Sequence, residues 1–157
     1  MTLVAVGADH AGFALKEKLK PFLKQLGYRV VDLGNAVYDP ADDYPDFAAK
    51  VGRYVAATNT KGLLFCGSAE GICIAANKIK GVRAVAPASA TAAKMSRLHN
   101  DANVLCIAGG KTVDPKAKGL RLSLAKAKQI IKIWLSTSFS GETRHARRIK
   151  KITALEK

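Results

Sequence analysis

Five short apolar runs punctuate the chain: LVAVGA (3–8), YRVVDL (28–33), GLLFC (62–66), VRAVA (82–86) and NVLCIAG (103–109). Each is about one strand long and apolar throughout, as strands covered on both faces of a sheet are. Between them, residues 13–26, 44–57, 70–79, 89–98 and 115–134 carry apolar side chains at helical spacing, as with Phe13, Leu15, Leu19, Phe22 and Leu23. This alternation predicts an α/β fold in which helices cover both faces of a parallel sheet through right-handed crossovers. Ligands bind such sheets beyond the carboxyl ends of the strands. That rule singles out the loops after residues 8, 66, 86 and 109.

The tail from Ser136 differs in character. Ser140-Gly141-Glu142-Thr143 reads as a helix start, and Ile149, Ile152 and Leu155 form a narrow apolar stripe on a basic helix. So thin a stripe predicts docking on a second subunit. With no repeat and no linker, residues 1–157 read as one domain, of a size that can bury a full core. No apolar run approaches the roughly 20 residues that span a bilayer, and MTLVAVGADH has no signal-peptide character. The odd set of Cys66, Cys73 and Cys106 points to free thiols in a reducing compartment, hence the cytoplasm.

The net charge of +14 changes the picture by where it sits. From Lys111 onward there are 13 basic residues against 3 acidic, which leaves +10 in the last third of the chain. Such a field attracts anions, whether sugar phosphates, nucleic acid or an acidic surface, although a basic run is commonly just a solvated helix face.

Four loops carry candidate chemistry. GADHAGF lacks the G-x-G-x-x-G spacing of dinucleotide sites, but sets Asp9 and His10 together at a helix start, where Asp9 can also serve only as the cap. In CGSAEGICIAANKIKG, Cys66 ends a strand before a small-residue turn, Gly67 to Gly71. That turn can aim consecutive backbone N–H groups at an oxyanion, and the following helix start favours a thiolate. The alternative is a buried structural cysteine, the expected role of Cys73 and Cys106. RLHNDANVL places His99 and Asn100 where a helix gives way to a strand, as a functional pair or a helix C-cap. In TRHARRIKK, Arg144 and Arg148 share one helical face and can fork onto a phosphate, of a metabolite or of nucleic acid. The three histidines have no metal-ligand spacing, there is no G-x-S-x-G elbow, and the sparse aromatics do not interleave with the basic run.

Taken in order, GADHAGFALK, DYPDFA, CGSAEGICIAANKIKG, RLHNDANVL and FSGETRHARRIKKI resemble the ribose-5-phosphate isomerase type B family, which also includes galactose-6-phosphate isomerase subunits. The resemblance spans nearly the whole chain. It implies a Rossmann-like three-layer sandwich, with a homodimer or dimer of dimers sharing active sites at the interface. The reaction it implies is interconversion of aldose and ketose phosphates without metal or cofactor. By the same resemblance, Cys66 is the base that moves a proton between C2 and C1, and Ser68 supports its thiol. Asp9 and His99, the latter from the partner subunit, open the furanose ring. Gly67, Ser68, Ala69, Glu70 and Gly71, joined by Asn100, form the hole for the enediolate. His10, Arg144 and Arg148 hold phosphate, with Lys111 standing where an arginine often helps.

The chain departs from the family pattern at Ala69, where the loop usually has glycine, at Ser89 and Thr91, which replace an acidic residue and a tyrosine, at Lys111, and in its charge. Three readings follow for function. The first is isomerisation of ribose 5-phosphate and ribulose 5-phosphate in the pentose phosphate pathway. The second is the same chemistry on a six-carbon phosphate such as allose or galactose 6-phosphate, given small Ala88 and Ser89. The third, the least favoured, is a diverged protein that binds nucleic acid or an acidic partner. No membrane role is expected.

Overall fold

The structure, a computed structural model, describes residues 2–109 and 119–156. Strands β1 (Thr2–Ala8), β2 (Tyr28–Asp32), β3 (Lys61–Cys66), β4 (Ala84–Val85) and β5 (Val104–Ala108) form a single sheet in the order β2-β1-β3-β5-β4. Every pairing is parallel. Helices α1 (His10–Gln25), α2 (Tyr44–Thr58), α3 (Glu70–Ala76), α4 (Ala90–Asn100) and α5 (Leu124–Ser136) alternate with the strands, and α6 (Thr143–Thr153) ends the chain.

Strand residues alternate between faces, and here both faces are buried. Val4, Val6, Leu63, Phe65, Leu105 and Ile107 meet Leu15, Leu19 and Leu23 of α1, Ala93 of α4, and Ile130, Ile131 and Trp134 of α5. Their neighbours Ala5, Leu64, Cys66, Val104 and Cys106 meet Val51 and Val55 of α2 and Ile72 and Ala76 of α3. The result is the expected α/β sandwich of three layers. Each fully buried Leu or Ile contributes about 1.5–3 kcal/mol.

Gly12 matters for the site. A Cβ there would overlap the Phe65 carbonyl, so only glycine lets the first turn of α1 lie on the end of β3. That close approach brings the residues just after β1 beside those ending β3.

The structure moves several boundaries. The run 82–86 shrinks to a two-residue β4, because the Asn77 amide takes over backbone pairing there: its Oδ1 accepts from Ala84 N–H at 2.8 Å and its Nδ2 donates to Ala84 O at 2.9 Å. The same residue closes α3 at Ala76, short of 79. Helix α5 starts at Leu124 under the Ser123 cap, so 119–123 of the expected 115–134 lie ahead of it, because Leu122 N–H is drawn to Ala108 O at 2.9 Å beyond the end of β5; 115–118 lie outside the described residues. Helix α4 runs on to Asn100, so His99 belongs to its last turn, and Asp101 takes the left-handed cap position. Among the described residues, no helix is long and apolar enough to cross a membrane.

Candidate active site

The carboxyl ends of β1 and β3 lie side by side, with Ala8 opposite Phe65. Asp9 and Cys66 therefore emerge together, both buried. Asp9 does two things at once. Its Oδ1 accepts from Gly12 N–H at 2.9 Å, capping α1, while its Oδ2 accepts from the Cys66 thiol at 3.0 Å. The cap and the chemical reading of Asp9 are thus compatible.

The thiol is not the ready thiolate that a helix start suggests. Burial, and then the hydrogen bond to Asp9 and its negative charge, push Cys66 up to about 12; backbone N–H groups of Ala69 and Gly67 pull the other way and lose. In the free chain the thiol keeps its proton and points it at a carboxylate. Ser68, expected beside the thiol, turns its Oγ to the Glu70 N–H at 3.4 Å.

The turn itself is shaped by Ala69, which sits at φ 67°, ψ −5°. A non-glycine residue in this left-handed region costs roughly 1–2 kcal/mol, so Ala69 holds this turn at the expense of strain. Glu70 opens α3 from an exposed position, and Gly71 follows. A Cβ on Gly71 would strike the Tyr44 ring, 2.6 Å from Cζ. Tyr44 thus roofs the turn. In the sequence, DYPDFA marks no role for this tyrosine; the bare Gly71 that it packs against is the signal that points to it.

His10 stands at the mouth of the same site. Its Nδ1 lies 2.7 Å from Asp42 Oδ1, which also accepts the His10 backbone N–H at 2.9 Å. The imidazole is raised above its ordinary value, chiefly by the Asp42 hydrogen bond, against burial and with help from Asp9.

The other predicted residues are elsewhere in the chain. Helix α4 returns from the carboxyl edge of the sheet to its amino edge. Arg83, at the start of β4, fixes that end by donating from Nε to Asn100 O at 3.0 Å and from Nη2 to Asp101 O at 2.8 Å. Along β5 alone, four residue steps separate that edge from the Ala108 level where Cys66 pairs, about 13 Å. His99 and Asn100 therefore lie on the opposite edge from Cys66. Helix α6 shares it, with Ser140 N–H donating to Leu98 O at 3.2 Å and His145 stacked on His99 at a ring separation of 4.3 Å. His145 is buried and its pKa lowered, by burial first and then by His99. Arg144 and Arg148 are exposed on α6. One chain thus holds two half-sites: Asp9, His10, Cys66 and residues 67–71 on one edge, His99, Asn100, Arg144 and Arg148 on the other. Lys111 lies outside the described residues. Among those described, no cluster of three His, Cys, Asp or Glu could hold a metal.

A model of the family described as Ribose/Galactose Isomerase matches residues 4–152. The chain belongs to this family. It is 40% identical over 157 residues to ribose-5-phosphate isomerase B of Escherichia coli, covering 99% of this chain and 97% of that protein. The probable ribose-5-phosphate isomerase B of Mycoplasma genitalium is 38% identical over 156 residues, 98% of this chain and 95% of that one. Among solved structures, type B ribose 5-phosphate isomerase of Trypanosoma cruzi superposes with a TM-score of 0.87 at 42% identity, over 99% of this chain and 97% of that chain. The Mycoplasma genitalium enzyme with bound ribulose-5-phosphate does so with a TM-score of 0.87 at 36% identity, over 99% and 96%. In this isomerase of the family, the carboxyl edge of the sheet carries the Cys66 thiol and the Asp9 carboxylate side by side.

Proposed function

We propose that this chain interconverts ribose 5-phosphate and ribulose 5-phosphate through a cis-enediolate, as one isomerase domain over 1–157. The observation that carries the reading is the Cys66 thiol, held 3.0 Å from Asp9 Oδ2 and rimmed by the backbone of residues 67–71. A proton α to a carbonyl is removable only if the enediolate charge meets fixed donors in a dry pocket. Ring opening comes first: one group takes the proton of the anomeric hydroxyl while another returns a proton to the ring oxygen, roles that fit Asp9 and His99 of the partner subunit. For Cys66 to act as base, its thiol proton must leave; Asp9, 3.0 Å away, accepts it and gives that proton to the ring oxygen, while the partner subunit's His99 takes the proton of the anomeric hydroxyl. The thiolate then takes the C2 proton, the C2–H pair forms C1=C2 and the carbonyl pair moves onto O1; the O2 proton passes to O1, and as the O2 pair forms the C2 carbonyl the C1=C2 pair takes the proton back at C1.

The two half-sites lie on opposite edges of one sheet, which supports a site completed between two copies. In such a dimer α6, exposed but for His145 and parts of Ile149, would carry Arg144 and Arg148 to the other copy's His10 and hold the phosphate there. A cytoplasmic location fits the free Cys66, Cys73 and Cys106.

A six-carbon substrate has one observation in its favour. A cavity of about 60 Å³ lies beside Ser68 and Ala69, walled by Ala86, Pro87, Ala88 and Ala108. Ser89 does not add to that room, because it caps α4 by accepting from Ala92 N–H at 3.1 Å. The test is ketose formation from ribose 5-phosphate by the purified protein, with Cys66→Ala as control and six-carbon phosphates as competitors. Turnover abolished by Cys66→Ala supports the reading. A higher kcat/KM for a six-carbon phosphate transfers it to that sugar, and equal turnover in the variant removes Cys66 as the base.

A further inference from the structure

We infer that Asp42 is a positioning residue for the reaction, orienting His10 so that one ring nitrogen is presented to the substrate's phosphate. The inference rests on the reading of His10 as a phosphate ligand and names what makes it one. Asp42 lies in the loop before α2, 32 residues from His10 along the chain, in an acidic stretch with Asp39, Asp43 and Asp46 that would ordinarily be solvated. Its side chain is instead only 5% exposed, against 34% for His10.

Both of its oxygens are used inward. Oδ1 receives the His10 backbone N–H and Nδ1, and Oδ2 receives Asn35 Nδ2 at 3.0 Å. Asn35 is anchored in turn, because its carbonyl accepts from Lys16 Nζ at 2.7 Å, and that fully buried ammonium is gripped by Asp32 at 2.7 and 2.8 Å. The carboxylate is thus tied through Asn35 and Lys16 to α1 and β2. A loop that merely happened to fold over His10 would not need this chain of contacts.

The geometry has a chemical consequence. A carboxylate only accepts, so Nδ1 must carry the proton in either charge state of the ring, and Nε2 is the nitrogen left for a ligand. The groups facing the ring are Asp42 from the loop, Asp9 from the end of β1 and the Tyr38 phenol across a groove of about 240 Å³ lined by His10, Ala11, Ala14 and Tyr38. Both acids favour the imidazolium. A phosphate monoester becomes a dianion above about pH 6, and an unperturbed imidazole loses its proton near 6.5. Dianion and imidazolium would barely coexist. A raised His10 widens the window in which they meet, and Asp42 is the largest cause of that rise.

The test compares wild type, His10→Gln, Asp42→Asn and Asp42→Ala as full-length protein. Three quantities are read: the His10 titration by NMR, KM and kcat for ribose 5-phosphate, and competitive inhibition by inorganic phosphate. The His10 resonance is assigned by its loss in His10→Gln. Asp42→Asn keeps the shape and an acceptor oxygen and removes the charge, so it remains informative if Asp42→Ala does not fold. The expected result for Asp42→Asn is a lower His10 pKa, with KM and the phosphate inhibition constant both raised about tenfold, one pKa unit's worth of interaction, while kcat stays nearly unchanged. If His10→Gln weakens phosphate binding and Asp42→Asn leaves the His10 titration and KM where they were, Asp42 is only structural and the inference fails. If His10→Gln itself leaves KM and phosphate inhibition unchanged, the phosphate reading of His10 falls, and the inference falls with it.

Discussion

Cys66 Sγ donates to Asp9 Oδ2 across 3.0 Å, so the proposed base of this isomerase rests as a protonated thiol beside a carboxylate. With the thiol pushed up to about 12, alkylation of Cys66 by iodoacetamide near neutral pH should be slow. Asp9→Asn removes the charge that opposes ionisation, so the variant should label Cys66 faster while losing turnover. Mass spectrometry of the Cys66 peptide over a pH series reads this directly. Faster labelling in wild type than in Asp9→Asn would reverse the assigned electrostatics.

Ala69 poses a balance of small terms. Glycine in its place relieves about 1–2 kcal/mol of left-handed strain, but gives up about 0.8 kcal/mol of methyl burial and about 0.5–1 kcal/mol of backbone entropy. Ala69→Gly should therefore unfold in urea within about 1 kcal/mol of wild type. Ala69→Val, β-branched at φ 67° and 1% exposed, should lose more than about 2 kcal/mol. Equal stability of the two variants would mean that the turn is not held where the structure has it.

Lys61 should make stability rise in mild alkali. Burial, and then the Arg97 charge, lower it to about 8, while its Nζ donates to Leu135 O at 2.8 Å. An unfolded lysine keeps its proton to about 10.4. Between those values the unfolded chain binds more protons, so this residue adds stability as pH increases. Urea midpoints at about pH 7 and about pH 9.5 should show that increment in wild type and its loss in Lys61→Met. An unchanged increment in the variant would assign the effect to another group.

Gly12→Ala should be among the costliest single-methyl additions in the fold. The new Cβ meets the Phe65 carbonyl, which is backbone and cannot swing aside. The expected loss is about 3 kcal/mol, with α1 lifted and Asp9 drawn away from Cys66. Wild-type stability and turnover in this variant would contradict the close seating of α1 on β3.

The sheet was legible because strands buried on both faces must be apolar throughout, and LVAVGA, GLLFC and NVLCIAG are. What escaped reading was decided by contacts between distant residues. Apolar Leu120 and Leu124 sit four apart, a spacing that mimics a helix, yet the Leu122 N–H between them belongs to Ala108. The strand at 82–86 lost length to the Asn77 amide. Within the site, Asp9 and Cys66 were found from local grammar, a carboxylate and a thiol at successive strand ends. Their effect on each other was not, because a helix start favouring a thiolate is a local rule and Asp9 lies 57 residues away. Asp42 and Tyr44 were missed for the same reason: each acts on a partner far along the chain.

The division of the site between two copies is tested most directly by mixing inactive variants. Cys66→Ala damages one half-site and His99→Ala the other, on opposite edges of the sheet. If sites are shared across a two-fold interface, subunits exchanged between the two variants form heterodimers in which one site is intact and the other carries both changes. Ribose 5-phosphate isomerisation should then recover to about a quarter of the wild-type rate on random mixing. Two inactive variants that stay inactive after proven subunit exchange would contradict the account.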